Sequence, residues 1–266
     1  MLLRELDYAR PESVEEAVQL LAAREDARTL AGGQSLVNVM KTRVASPELV
    51  VDLNRIDALR GIEARDDALE IGAMTTYAEI VDSAEVASAR PILAEVARTI
   101  ADVQVRNRGT IGGNVCSNDP TNHFPPLLAA LEAELTILGA SGERTVGPDE
   151  FFEGVYMTAV QPGELLTKVR VPAKGDARDG WASVTLGKEG TGIVNVAATV
   201  SGGTARIAIG CVAATPVVVT ASADETAIKD AVRAADLDPP ADVHASADYR
   251  RHLAEVLAAR AVRNST

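Results

Sequence analysis

The feature that most constrains this chain is a pair of Gly-Gly turns eighty residues apart, "AGGQS" at Ala31–Ser35 and "TIGGNVCSNDP" at Thr110–Pro120. Glycine loses more backbone freedom on folding than any other residue, so a repeated pair asks for a reason. A strand that ends in Gly-Gly and turns into a helix clears side chains from the approach. It also aims backbone N–H groups at one point, at the positive end of a helix dipole. Such a turn suits a phosphate. Ser35 and Thr110 add hydroxyl groups, Gln34 and Asn114 add amides, and two such turns suit the two halves of a pyrophosphate. A tight turn without a ligand is the alternative that spacing alone leaves open. Neither turn is a Walker A motif, and neither fits Gly-x-Gly-x-x-Gly.

The elements around the turns are mixed. "ESVEEAVQLLAAR" puts Val14, Ala17, Val18 and Leu21 on one helical face, with Ser13 and Glu16 at capping-box spacing. "ARTLA", "ELVVDL" and "ALEIGAM" read as strands, and "SLVNVMKTR" as a helix with Ser35 as its N-cap. Thr76 and Glu79 repeat the capping-box spacing, and Pro91 opens the helix "PILAEVARTI". "PPLLAALEAELTIL" reads as a helix running into a strand, and a further strand is expected from Leu165 to Val171. The polar stretch Ala173–Gly180 is the candidate domain boundary. Beyond it come three strands, two of them joined at Gly202–Gly203, and two helices separated by Pro239–Pro240. Without a regular β-α-β alternation, the fold class is α+β.

Totals exclude several functions. A net charge of −12 argues against nucleic acid or an anionic membrane as partner. Cys116 and Cys211 are too few for a four-cysteine iron–sulfur or zinc site, and three histidines exclude a histidine-rich one. Redox chemistry would need a bound organic cofactor. There is no apolar stretch long enough to span a membrane, and the early charges of "MLLRELDYARPE" do not suit a signal peptide, so the expected location is cytoplasmic. With aromatics at 3%, packing falls to Ala, Val, Leu and Ile.

"DYARPESVEEAVQLL", "AGGQSLVNVMKTR", "LVVDLNRI", "IGAMTTYAEI", "VQVRNRGTIGGNVCSNDP" and "SADYRRHLAEVLAARA", in this order, resemble the flavin subunits of molybdenum hydroxylases. These are the medium subunits of the carbon monoxide dehydrogenase and xanthine dehydrogenase family. The resemblance implies a two-part PCMH-type FAD-binding domain over residues 1–175, in subdomains of about 1–57 and 58–175. A smaller α/β C-terminal domain of the carbon monoxide dehydrogenase flavoprotein type, an antiparallel sheet with helices, would occupy residues 176–266.

By the same resemblance, Ala31, Gly32, Gly33, Gln34 and Ser35 form the first pyrophosphate loop. Thr110, Ile111, Gly112, Gly113 and Asn114 form the second, with Asp119 in the polar segment after it. Leu30, Leu36, Ile100 and Ala101 fall at positions that line the flavin cleft. Arg106 and Arg108 either brace the second loop or lie solvated on the surface.

Two places depart from the family. His123 stands where many relatives carry an acid for the adenosine ribose, so it is either an acceptor for that hydroxyl or a group facing solvent or a partner. Thr191 stands where an aromatic is expected near the isoalloxazine, with Trp181 earlier in the chain and Lys188 as a candidate neighbour. Cys116, His244 and His252 carry no expected role.

The implied partners are a large molybdopterin-binding subunit and a small 2Fe-2S subunit, as a dimer of heterotrimers, with an external electron acceptor. No catalytic acid, base or nucleophile and no metal ligand is expected in the chain itself. A self-contained flavoenzyme of the same fold and a non-redox nucleotide-binding module are the alternatives.

Overall fold

The computed structural model describes residues 3–65, 67–187 and 190–266. Three sheets organise it. The first is a parallel trio in the order Asp7–Ala9, Leu49–Asp52, Arg28–Leu30. Its central strand is buried along its whole length, the pattern of a parallel strand covered on both faces. The helix Val14–Ala22 packs on it through Ala17, Val18 and Leu21, as its apolar spacing predicts. Ser13 accepts from the Glu16 N–H at 3.1 Å, but the Glu16 carboxylate reaches Glu12 instead of closing a capping box. At Thr76 and Glu79 the box is complete.

The second sheet is antiparallel, in the order Ile62–Arg65, Ala68–Gly72, Leu165–Pro172, Glu134–Gly139, Gly142–Val146. Its central strand arrives from far along the chain, beside which the short helices between residues 77 and 130 bury Ile80, Leu93, Ile111 and Leu127 in the largest core. A small hairpin, Phe152–Gly154 with Met157–Thr158, closes one side.

The third sheet is an antiparallel meander of Arg178–Leu186, Thr191–Ser201, Thr204–Gly210 and Val217–Ser222. The last strand is absent from the sequence reading above. It lies at the sheet edge with no residue fully buried, so its alternation is weak. The helices Glu225–Ala234 and Ala247–Arg263 cover this sheet. Gly180 lets the longer helix sit very close: a Cβ there would lie 1.9 Å from the Ala261 carbonyl oxygen.

The third sheet is bound to the rest by a buried ion pair. Arg90 Nε and Nη2 donate to the two Asp179 oxygens at 2.6 and 2.7 Å. Arg90 Nη1 also donates to the Pro172 carbonyl, and Thr199 Oγ1 donates to Asp179. Trp181, Ala197 and Ala208 of the third sheet enter the core of the second.

Candidate cofactor site

The two Gly-Gly turns, distant in sequence, meet. A Cβ at Gly32 would lie 2.0 Å from the Arg108 carbonyl oxygen and 2.9 Å from the Gly109 Cα. A Cβ at Gly113 would come within 3.6 Å of the Ala31 Cβ. Only glycine permits the first contact. The turn after Arg28–Leu30 thus rests directly on the chain entering the second turn.

The first turn is a row of free donors. Among the described residues, the N–H groups of Gly32, Gly33, Gln34, Ser35 and Leu36 have no acceptor. Gly33 turns the backbone with φ of 75°, a value that favours glycine. Ser35 sits at the N-cap position of the helix Leu36–Lys41, but its hydroxyl makes no capping bond. The expected cap is therefore a group left available.

The turn is held from behind by Asn54, a residue the sequence reading did not single out. Its amide donates to the Ala31 carbonyl at 3.0 Å and to Asp52 Oδ1 at 2.6 Å. Tyr8 donates a short bond to the other Asp52 oxygen. Burial favours a protonated Asp52 carboxyl, but the hydrogen bonds from Tyr8 and Asn54 outweigh it and hold the group below the usual carboxylate range. "VVDLN" following the first loop carried the only hint: two polar residues ending an apolar strand.

The second turn differs, because its N–H groups are already used. Ile111 donates to the Thr75 carbonyl, Gly112 to Ala73 and Asn114 to Thr110, each at 2.9–3.0 Å. Gly113 donates to Thr110 Oγ1 at 3.0 Å, the N-cap bond of the helix Ile111–Ser117. What this turn offers a ligand is side chains: the remaining Thr110 hydroxyl proton and the Asn114 amide. Asp119 shapes the following bend, accepting from the Thr121 N–H and hydroxyl at 2.9 and 2.8 Å, and from Tyr156 at 3.1 Å.

Buried polar atoms in native proteins are almost always hydrogen-bonded. Among the described residues five buried side-chain atoms are not: Asn114 Oδ1, His123 Nε2, Trp181 Nε1, Asn195 Oδ1 and Arg250 Nε. Four of these residues are linked. Asn122 donates to the Asn114 carbonyl, Asn195 donates to the Thr121 and Asn122 carbonyls, and the His123 ring lies 5.4 Å from Trp181.

His123 is buried away from solvent: it is 3% exposed, with Nδ1 3.1 Å from the Thr99 hydroxyl. Burial lowers its pKa to about 4, the Gly190 backbone offsetting only part of this, so the ring is neutral at neutral pH. Trp181 packs against it, while Thr191 is exposed and Lys188 lies outside the described residues. Leu30, Leu36, Ile100 and Ala101 are all half-buried.

Arg106 does not touch the second turn; it holds the carbonyls of Ile100 and Ala101. Arg108 meets the first turn through its backbone only. His244 and His252 are exposed, and burial pushes both cysteine thiols up to about 12. Among the described residues no group of three or more metal-ligating side chains is assembled, and no helix is long and apolar enough to cross a membrane.

Known proteins share this architecture. Residues 4–174 match the model of the FAD binding domain in molybdopterin dehydrogenase, and residues 182–265 match the CO dehydrogenase flavoprotein C-terminal domain. The carbon monoxide dehydrogenase medium chain of Afipia carboxidovorans is 40% identical over 280 residues, covering 98% of this chain and 97% of that one. The nicotine 6-hydroxylase medium subunit of Paenarthrobacter nicotinovorans is 33% identical, covering 98% of each chain. Reconstituted CO dehydrogenase from Oligotropha carboxidovorans contains a chain that superposes with a TM-score of 0.95 at 37% identity, covering 100% of this chain and 99% of that one. This chain belongs to the FAD-binding medium subunits of the molybdenum hydroxylases, the flavoprotein component of carbon monoxide dehydrogenase-type oxidoreductases.

Proposed function

We propose that this chain is the flavin junction of a three-subunit molybdenum hydroxylase, holding FAD between its two Gly-Gly turns. Electrons reach it from the iron–sulfur clusters of a small partner subunit, after substrate oxidation on a large molybdopterin-binding subunit, and leave to an external acceptor. The assembly is a dimer of such heterotrimers in the cytoplasm. The carrying observation is the row of five acceptor-free N–H groups at Gly32–Leu36, seated against the second turn.

FAD supplies the redox chemistry, since a flavin exchanges electrons singly or in pairs. The chain supplies placement. The first turn offers backbone N–H groups and the Ser35 hydroxyl to phosphate oxygens. The second offers the Thr110 hydroxyl and the Asn114 amide. Leu30, Leu36, Ile100 and Ala101 wall the ring, Gly112 and Ile111 fix the second turn to the sheet, and the Asp119 bend forms the adenosine side, with His123 packed behind it out of reach of a ligand. No proton transfer by a side chain is required.

The test is purification of the assembled complex with wild-type, Gly33→Val and Gly113→Val chains. The wild type carries about one FAD per chain, and this chain contributes no iron, molybdenum or zinc. Both variants assemble without flavin: a branched side chain at Gly33 is forced to a φ of 75° against Val37 and Leu30, and one at Gly113 stands between Thr110 and Ala31. Full flavin content in either variant overturns the loop assignment.

A further inference from the structure

Ala101 has φ of 45°, in the left-handed region, which costs a non-glycine residue about 1–2 kcal/mol. Something must hold it there. Arg106, the last residue of the short helix Val103–Arg106, reaches back: its Nη1 donates to the Ile100 carbonyl at 2.9 Å and to the Ala101 carbonyl at 2.8 Å. Asp102 starts that helix by accepting from the Val105 N–H at 2.8 Å, and its carbonyl accepts from the Arg106 N–H at 3.0 Å. The turn and its brace are therefore one closed unit. On its other flank, Thr99 donates to the Val96 carbonyl at 2.7 Å and meets His123.

In a trans peptide the C=O of one residue and the N–H of the next point in opposite directions. Drawing the Ile100 and Ala101 oxygens onto one guanidinium nitrogen turns the N–H groups of Ala101 and Asp102 away from it. Neither N–H has an acceptor among the described residues. Successive N–H groups in a turn with a left-handed residue form a concavity for negative charge.

We propose that Arg106 is a positioning residue that aims the Ala101 and Asp102 N–H groups as a donor pair at the electron-rich carbonyl edge of the flavin ring. This rests on the reading that the Ile100–Ala101 turn lines the flavin cleft. Reduction adds negative charge to that edge, and hydrogen bonds to a charged acceptor are the stronger ones. The donor pair therefore binds reduced flavin more tightly than oxidised flavin, and the brace sets the potential as well as the affinity.

The experiment compares Arg106→Ala, Arg106→Lys and wild type in the assembled complex. In Arg106→Ala, reduced FAD loses about tenfold more affinity than oxidised FAD, which lowers the two-electron potential by about 30 mV. Arg106→Lys restores most of the potential, because an ammonium can reach both carbonyls. A merely structural role would lower the melting temperature and leave the potential unchanged, and that result overturns the proposal. If Arg106→Ala does not assemble, Arg106→Gln is measured instead, with the same direction expected and an unchanged potential equally fatal. Amide hydrogen exchange with and without FAD tests the underlying reading separately. FAD should protect the Ala101 and Asp102 amides in wild type. Absence of that protection overturns the cleft reading, whereas protection with an unshifted potential overturns the brace alone.

Discussion

The side-chain amide of Asn54 donates to the carbonyl oxygen of Ala31 at 3.0 Å, tying the first Gly-Gly turn to the end of the neighbouring strand. With that carbonyl fixed, the free N–H row that follows it is fixed as well. Asn54→Ala removes the tie. A neutral hydrogen bond contributes about 1 kcal/mol net, so FAD affinity should fall roughly fivefold with little change in the fold. Titrating flavin-stripped complex with FAD measures it, and an affinity equal to wild type would show that the turn keeps its shape unaided.

The contact between the turns gives a sharper contrast. Gly32→Ala places a Cβ where the Arg108 carbonyl already stands, at 2.0 Å, whereas a Cβ at Gly147 meets nothing within 4 Å. Overpacking of this kind costs about 1–3 kcal/mol. Gly32→Ala should lower both the melting temperature and flavin content, and Gly147→Ala neither. Equal behaviour of the two would mean that the turns do not rest on each other.

The sequence made both turns visible because their requirement is local: glycine where side chains would block an approach. It also disclosed the strands and helices whose apolar period is strong, such as Val14–Ala22 and Leu49–Asp52. It could not disclose how each turn works. Whether the N–H groups of Ile111 and Gly112 are free depends on the Thr75 and Ala73 carbonyls, which only the folded chain brings near. Asn54 escaped, and Arg106 was assigned to the second turn or to solvent instead of to the Ile100 and Ala101 carbonyls, for a related reason. Each acts on backbone carbonyls, and a carbonyl has no signature in a sequence. His123 was legible as a departure from relatives, but its burial against Trp181 depends on how the third sheet docks.

That burial has a consequence in acid. The His123 pKa is lowered to about 4 in the folded chain, below the 6.5 of an unhindered imidazole, so the unfolded chain takes up the proton first. Stability from this residue is fully present above pH 6.5 and is lost as the pH falls toward about 4, a loss on the order of 3 kcal/mol. His123→Phe, which keeps the ring against Trp181 and cannot titrate, should flatten denaturant midpoints between those limits. A slope identical to wild type would place the imidazole in water.

The Arg90–Asp179 pair should be costly to break from one side. Both side chains are almost fully buried, at 4% and 3% exposure. Asp179→Asn leaves the guanidinium without a counter-charge, and such losses run to about 3–5 kcal/mol. The double change Arg90→Met with Asp179→Leu should recover much of it, since neither charge then remains in the interior. Thermal unfolding of wild type, Arg90→Met, Asp179→Leu and the double variant completes the cycle, and additive losses would show that the two residues do not act as a pair.

Gly32 belongs to a turn of the parallel trio, and the Arg108–Gly109 backbone it touches leads to a turn packed on the antiparallel sheet. Held between the turns as proposed, a pyrophosphate would be a reversible crosslink between two parts of one polypeptide. Its strength is set by mass action: a free ligand at a hundred times its dissociation constant contributes about 2.7 kcal/mol to the folded state. The supply of flavin would then enter the folding equilibrium directly. With flavin scarce, the seam between the sheets would then open more often and expose chain that is otherwise sealed.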